Sequence, residues 1–88
     1  MQITWMEFDK GNKVAVDFIN AEDIDITGVC TYVHGATARI LRYDFMQQHV
    51  EYYLSADEIA EIEIAINRAL QEPEPNDYCV MTYYIDRL

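Results

Sequence analysis

Basic residues, cysteine, glycine and proline are all scarce in this chain. Six Lys and Arg stand against sixteen Asp and Glu, which leaves a formal net charge of −10 over 88 residues. Nucleic acids and anionic membranes bind proteins chiefly through Lys and Arg, so the shortage argues against direct binding to either. A strongly negative protein attracts basic molecules instead. We therefore expect a basic protein partner.

The chain also lacks a long apolar run and a secretory leader. A membrane-spanning helix needs about 20 apolar residues, and the longest stretch without a charged residue, 26–38, is shorter and contains Thr, His and Gly. The first residues have neither the basic start nor the apolar middle of a signal peptide. Cys30 and Cys79 could pair, but so low a count without a leader favours two free, buried thiols. These features predict a cytoplasmic protein without membrane contact.

Glycine is limited to three isolated positions, Gly11, Gly28 and Gly35. A loop that cradles phosphate needs clustered glycines, and a turn or a strand end explains each of these three. Nucleotide binding is not expected, and the sequence predicts no cofactor.

Hydrophobic residues, by contrast, are plentiful. They make up 51% of the chain and include seven tyrosines, which is too apolar for intrinsic disorder. A chain of this length has room for one core. We expect a single acidic domain over residues 1–88.

Alternating and β-favouring residues predict six extended segments between residues 2 and 54. These segments are residues 2–8, 13–19, 23–27, 29–33, 36–43 and 49–54. The polar run 9–12 makes the first two a hairpin. His34 and Gly35 make a second hairpin. Residues 23–27 are expected to form an edge strand, and residues 44–48 a connection.

A helix is predicted at about 56–71. Ser55 and Glu58 have the spacing of a capping box at its start, and Pro73 ends it. The apolar stripe of this helix consists of Ile59, Ile62, Ile66, Ala69 and Leu70. Residues 78–85 then predict a final strand. The expected class is α+β: an antiparallel or mixed sheet of about five or six strands, with one helix packed on one face and a strand after the helix.

One short segment resembles a catalytic motif. Residues 23–28, Asp-Ile-Asp-Ile-Thr-Gly, are similar to the opening of aspartate-nucleophile phosphatases, which implies a nucleophile at Asp23 and a proton carrier at Asp25. Those enzymes need a much longer doubly wound domain than this chain can form. A calcium loop from Asp23 would require Glu at its twelfth position, where the chain has His34. Neither activity is expected.

Metal and nucleophile sites have equally little support. Cys30 and His34 lie four residues apart and could be combined with Cys79 or His49, but no paired zinc-ligand spacing is present. A triad of Cys30, His34 and Asp44 has no local signal. The sequence therefore predicts no metal and no enzymatic activity.

The acidic side chains of the helix carry the functional prediction. Asp57 and Glu61 are like charges four residues apart, and Arg68 has Ile64 rather than an acid four residues before it. Ile64 falls among these charges, opposite the apolar stripe. An apolar anchor ringed by carboxylates suits a basic partner. The candidate partner-binding residues are Glu22, Asp23, Asp25, Asp57, Glu61, Glu63 and Ile64.

Two functions are consistent with these features. The first is a non-enzymatic acidic inhibitor or nucleic-acid mimic that blocks a basic nucleic-acid-binding protein. In size and charge the chain resembles phage-encoded anti-defence proteins, such as anti-CRISPRs and DNA mimics, and the immunity proteins of nuclease toxins. The second is a small homo-oligomeric structural or regulatory module whose acidity serves solubility. The many tyrosines, and apolar residues on both faces of residues 2–8 and 78–85, would suit a homodimer or a protein partner.

Overall fold

The protein is a five-stranded antiparallel sheet followed by one helix in a computed structural model that describes residues 1–71. The elements are β1 (Gln2–Asp9), β2 (Lys13–Ile19), β3 (Asp25–His34), β4 (Ala38–Gln47), β5 (Val50–Tyr52) and α1 (Ala56–Gln71). Each strand pairs with the next along the chain, in the order β1-β2-β3-β4-β5. The α+β class and the helix are confirmed. The predicted strand at 78–85 lies outside the described residues.

Tight turns explain the chain-order pairing. Gly11 and Asn12 have φ angles of 74° and 57° between β1 and β2, and Gln48 and His49 have φ angles of 49° and 70° between β4 and β5. Two successive positive φ angles are typical of a type I′ turn, whose twist matches that of the flanking strands. The predicted connection at 44–48 is therefore wrong, because β4 continues to Gln47 and only two residues separate it from β5.

The predicted edge strand at 23–27 is also wrong. Residues from Asp25 onward begin β3, which lies at the centre of the sheet and pairs with β2 on one side and β4 on the other. The alternation there reflects the two faces of a central strand, with Ile26 buried and Asp25 and Thr27 exposed. Gly28 lies inside this strand, at neither a turn nor a strand end.

The core lies between one face of the sheet and α1. Its fully buried large side chains are Val14, Val16, Phe18, Ile26, Cys30, Phe45, Ile62 and Ile66. The first three of these alternate along β2 and confirm the extended segment predicted at 13–19. Phe18 and Phe45 pack with ring centroids 5.8 Å apart, and Phe18 also meets the ring of Tyr52 at 6.3 Å. Sheet and helix thus share one core.

The apolar stripe of α1 is confirmed except at Ala69. Ile62 and Ile66 are fully buried and Ile59 and Leu70 partly so, but Ala69 is exposed. Successive residues turn by about 100° around a helix, so Ala69 lies on the side of Ile62 away from Leu70. The packed face extends instead toward Glu63 and Asn67, whose side chains contact β4. Because the packed face of α1 is shifted toward Glu63 and Asn67, Ala69 is exposed to solvent.

The outer edge of β4 is covered by side chains of α1. Because β5 has three residues, it pairs only with Phe45–Gln47. Farther along β4, Ala38 N–H donates to Asn67 Oδ1 at 2.6 Å, and Asn67 Nδ2 donates to the Ala38 carbonyl at 3.0 Å. Ile40 N–H donates to Glu63 Oε2 at 2.8 Å. These side chains satisfy backbone groups that a neighbouring strand would otherwise pair.

The face of the sheet opposite α1 is named the open face, since no other described element packs on it. Along the strands, its side chains are those that alternate with the core residues. The central ones are Trp5, Glu7, Ala15, Asp17, Thr27, Val29, Asp44 and Met46. The part of the chain that the structure describes contains no helix long and apolar enough to cross a membrane.

Candidate protein-binding surface

Charged side chains are distributed unequally between the two ends of the sheet. One end carries the β1–β2 and β3–β4 turns, and the other carries the β2–β3 loop and the β4–β5 turn. Helix α1 runs from the second end toward the first, because Ser55 follows β5 while Asn67 contacts Ala38 at the start of β4. The two ends therefore also differ in which terminus of the helix they hold.

All five Lys and Arg residues between positions 1 and 71 belong to the first end. They are Lys10, Lys13, Arg39, Arg42 and Arg68. The lysines lie in or beside the β1–β2 turn, the first two arginines in the early half of β4, and the last in the final turn of α1. Glu7 and Asp9 of β1 lie there too, so this region is named the mixed end.

Carboxylates dominate the other end, which is named the acidic end. It contains Glu22, Asp23, Asp25, Glu51, Asp57 and Glu58, and Glu61 follows one turn later on α1. Within residues 1–71 this end has no Lys or Arg. The helix N-terminus, with Asp57 and Glu58 in its first turn, partly offsets the repulsion among these charges because its macrodipole favours anions.

A hydrogen-bond network joins the β2–β3 loop to α1. The buried Asn20 accepts from the N–H groups of Glu22 and Ile24 through Oδ1, at 2.9 and 3.0 Å. Its Nδ2 donates to the Tyr52 hydroxyl at 3.5 Å, and that hydroxyl donates to Glu58 Oε2 at 2.8 Å. The backbone of the β2–β3 loop and the Glu58 carboxylate at the start of α1 are thus held at fixed positions relative to each other.

Glu58 also closes the predicted capping box, which is confirmed. Its N–H donates to Ser55 Oγ at 3.1 Å, and its Oε1 accepts from Ser55 N–H at 2.9 Å. Both carboxylate oxygens of Glu58 are therefore occupied, one by the cap and one by Tyr52. Anchoring at this residue fixes the first turn of α1, from which Asp57 projects into solvent, with Glu61 one turn later on the same side.

Two tyrosines at the acidic end remain protonated donors at neutral pH. Burial is the largest cause that raises the pKa of Tyr52. The hydrogen bond from Asn20 opposes this, whereas the hydrogen bond to Glu58 and the charges of Glu58 and Glu22 raise the pKa further. A hydrogen bond with Glu51, followed by the charge of Glu51, raises the pKa of Tyr53. Tyr53 is 73% exposed and can contact a partner.

The predicted helix residues Asp57, Glu61 and Ile64 share the outward face of α1. Their spacings of four and three residues place them in one row, and Ile64 is 57% exposed. The predicted loop residues Glu22, Asp23 and Asp25 are exposed at the β2–β3 connection. The Asn20, Tyr52 and Glu58 contacts bring the loop and the start of α1 together at the acidic end.

Glu63 stands apart from the other predicted residues. Its carboxylate accepts from Ile40 N–H and lies between α1 and β4, so its charge serves the sheet edge rather than the outward face. Asn67, one turn later, contributes to the same contact. A polar pair on the flank of an apolar stripe is the sequence signal that could have indicated this role.

Sequence reasoning did not place Asn20 in this surface, and it indicated Tyr52 and Tyr53 only as members of the whole set of tyrosines. Asn20 and Tyr52 are 32 residues apart, so no local pattern connects them. An isolated Asn before a polar loop could indicate an Asx turn, and Asn20 does bind the N–H of Glu22 two residues later. The partner across the sheet depends on strand order.

The catalytic arrangements considered from the sequence are not assembled among the described residues. Cys30 is buried on the core face of β3, whereas Asp44 is on the open face of β4. The sheet therefore separates these two members of the Cys30, His34 and Asp44 triad. Between residues 1 and 71, no three His, Cys, Asp or Glu side chains converge as metal ligands would. The antiparallel meander also differs from the doubly wound phosphatase architecture.

Tyr52 provides a direct test of the loop-to-helix network. We expect Tyr52→Phe to lower the free energy of unfolding by about 1–2 kcal/mol, because two hydrogen bonds are lost and the Glu58 carboxylate loses a donor. Urea unfolding would measure the change. Tyr53→Phe removes a hydroxyl from an exposed ring and should change stability by less than about 0.5 kcal/mol. Equal effects of the two substitutions would contradict the network.

Comparison of the chain with protein families, with curated proteins and with solved structures finds no match.

Proposed function

We propose that the protein is a non-enzymatic inhibitor whose acidic end docks on a basic, nucleic-acid-binding protein and blocks it. The observation that carries this proposal is the segregation of charge. Every described Lys and Arg belongs to the mixed end, while the acidic end gathers six carboxylates around the start of α1. If acidity served solubility alone, it would not require this separation.

Such a surface suits a site that normally binds phosphate. The Lys and Arg side chains that line such a groove repel one another, and bound carboxylates reduce this repulsion as phosphates do. The fixed positions of Glu58 and of the β2–β3 loop reduce the conformational entropy lost on binding. The acidic end is therefore pre-organised for a cationic groove.

Apolar contacts would add to the attraction of opposite charges. Ile64 lies one turn beyond Glu61 on the outward face of α1, and Tyr53 lies beside Glu51 at the end of β5. Tyrosine and aliphatic side chains desolvate readily, and tyrosine is enriched at the centres of interfaces. We expect Ile64 and Tyr53 to contact the partner while the surrounding carboxylates orient it.

Charge reversal at the acidic end tests the proposal. The variant Glu22→Lys/Asp57→Lys/Glu61→Lys should weaken binding to a captured basic partner by at least about 100-fold, because attraction becomes repulsion at three contacts. The partner is captured on the immobilised protein, identified by mass spectrometry, and titrated by calorimetry. Duplex DNA should compete with the unaltered protein for that partner.

The matched control reverses three carboxylates away from the acidic end. Glu7→Lys/Asp9→Lys/Asp44→Lys produces the same change in net charge on β1 and β4, and should leave affinity within about fivefold since surface charges far from a contact mainly alter association rate. An equal loss in both variants would mean that net charge alone governs capture, and the inhibitor proposal would fail. Partners that are not basic would also contradict it.

A self-associating structural or regulatory module is the second candidate, and the exposed apolar side chains of the open face favour it. Capture of a basic partner should weaken as salt rises above about 0.15 M, where charges are screened beyond about 8 Å. Self-association through apolar contacts should change little over the same range. The two functions can therefore be separated by one salt series.

A further inference from the structure

The centre of the open face combines apolar side chains with carboxylates. Strand register defines two neighbouring rows there, and each row takes one residue from each of the strands β1 to β4. The first row is Glu7, Ala15, Val29 and Asp44, and the second is Trp5, Asp17, Thr27 and Met46. These eight side chains are named the central strip.

The charge of the central strip is negative. Among the described residues, the strip and the part of the open face beyond it toward the acidic end carry five carboxylates and no base. The carboxylates are Glu7, Asp17, Asp25, Asp44 and Glu51. The bases of the open face, Lys13, Arg39 and Arg42, lie toward the mixed end. A partner of the central strip is therefore expected to be cationic.

The apolar side chains of the strip set its shape. Trp5, Val29 and Met46 are 43–44% exposed. Trp5 on β1 and Met46 on β4 lie three strand spacings apart, about 14 Å. The side chains between them, on β2 and β3, are short. An α-helix with its side chains is about 10–12 Å wide, so one helix fits between the Trp5 and Met46 side chains.

We propose that the central strip docks a cationic amphipathic helix of another protein, with the helix lying along β2 and β3. The apolar stripe of the helix contacts Ala15 and Val29. Lys or Arg side chains on its two flanks reach Glu7 and Asp44, which stand at opposite ends of the same row. A flanking cation also stacks on the Trp5 ring. This contact is on the side of the sheet opposite α1 and is independent of the one proposed for the acidic end.

A helix suits this surface better than an extended segment or a second copy of the chain. An extended segment laid flat on the sheet would leave its backbone N–H and C=O groups without partners, whereas a helix makes its own backbone hydrogen bonds. A second copy would bring the same carboxylates to the contact, and like charges across an interface disfavour binding. Helices commonly cover the open side of a sheet in this way.

Charge also fixes the direction of the helix. Its N-terminus carries a positive partial charge and its C-terminus a negative one, so the N-terminus points to the acidic end and the C-terminus lies near Lys13 and Arg42. The seven residues of β2 extend about 24 Å, which is the length of a helix of about 16 residues. The strip covers roughly 340 Å² in projection, less than the ~800 Å² per partner of a standard interface. We therefore expect a dissociation constant in the micromolar range.

Trp5 provides a direct measurement, because it is the one tryptophan of the chain. The probe is a synthetic peptide of about 16 residues made of Leu, Lys and Ala, with Leu at helical spacing. Titration into the full chain should move Trp5 emission to shorter wavelength as the ring is covered. A peptide of the same composition without helical spacing should bind at least about tenfold more weakly. Equal binding of the two peptides would overturn the proposal, and so would a shift produced by a peptide with Glu in place of Lys.

Charge reversal locates the contact. Glu7→Lys/Asp44→Lys should weaken peptide binding by at least about 30-fold, because both flanks of the helix then face like charges. Glu22→Lys/Asp57→Lys makes the same change in net charge at the acidic end and should leave peptide binding within about threefold. Equal losses in the two variants would refute a site on the open face. The second variant should lose capture of the basic partner described above, so the two proposals can fail separately.

The apolar part of the contact has its own test. Val29→Gln should weaken peptide binding about tenfold, whereas Ile64→Gln, the same kind of change on α1, should have no effect. Circular dichroism should show both variants folded. Unchanged binding by Val29→Gln would contradict the proposal. If acrylamide cannot quench Trp5 in the free protein, its own chain or a second copy already covers the face, and the proposal fails; sedimentation equilibrium distinguishes these two covers.

Discussion

Gly28→Ala is expected to lower the free energy of unfolding by about 4 kcal/mol, among the largest effects of a single added methyl group. A Cβ atom at Gly28 would lie 2.3 Å from the Asp44 carbonyl oxygen and 2.6 Å from both Cα and Cγ of Phe45. Two of these atoms belong to the backbone of β4, so β3 and β4 must separate to admit the methyl group. The Phe45 ring, buried at the core, must move with them.

Gly35→Ala is the matched control for this prediction. No atom lies within 4 Å of a Cβ at Gly35 in the β3–β4 turn, so its substitution should change stability by less than about 0.5 kcal/mol. Urea unfolding followed by far-ultraviolet circular dichroism would compare the two variants. The double variant Gly28→Ala/Phe45→Ala removes the Phe45 ring but leaves the Asp44 carbonyl in place, so it should not restore stability. A Gly28→Ala protein as stable as the parent would refute the close approach of these strands.

Cys30 is expected to react with iodoacetamide about 1,000-fold more slowly in the folded protein than in the unfolded chain at pH 8. Burial, followed by the negative charge of Glu63, raises the pKa of this thiol from 9.0 to about 12. The thiolate is the reactive species, and its fraction at pH 8 falls by about three orders of magnitude with that shift. Peptide mapping by mass spectrometry, with Cys79→Ser as background, would follow Cys30 alone.

The same shift predicts a loss of stability in alkali. Below about pH 9 the Cys30 thiol is protonated in both folded and unfolded chains, so its full contribution to folding is present. Between pH 9 and 12 the unfolded chain releases the proton first, and stability falls by up to roughly 4 kcal/mol. Cys30→Ala should remove this part of the pH dependence. Equal labelling rates in the folded and unfolded states would contradict both expectations.

Local sequence patterns predicted those parts of the fold that depend on neighbouring residues. The capping box at Ser55 and the apolar stripe through Ile62 and Ile66 place α1 at 56–71, and the alternation of Val14, Val16 and Phe18 identifies the core face of β2. Each of these signals lies within one helix or one strand. Physical interactions of short range decide such features.

Features that depend on strand order could not be predicted in this way. The alternation of acidic and apolar residues at 23–27 predicts an edge strand, but the same alternation occurs in a central strand whose second face remains in solvent. The pairing of Asn67 with Ala38 spans 29 residues, and no local pattern indicates it. Glu63 was therefore predicted to be free on α1, although it binds the edge of β4.

The candidate surface was predicted in part for the same reason. Asp57, Glu61 and Ile64 follow from helical periodicity, and Glu22, Asp23 and Asp25 from a polar connection. That these two groups meet at one end, and that the Lys and Arg residues gather at the other, depends on how the meander orders its turns. The net charge predicts that the surface potential is negative, but it does not predict which end of the sheet is the more negative.

The contact of Glu63 and Asn67 with β4 has a further consequence for solubility. A strand edge with free N–H and C=O groups can recruit strands from other molecules and start ordered aggregation. Two side chains of α1 occupy that edge at Ala38 and Ile40, so the helix blocks the addition of a strand from another molecule there. Partial detachment of α1 would expose this edge before the sheet itself unfolded.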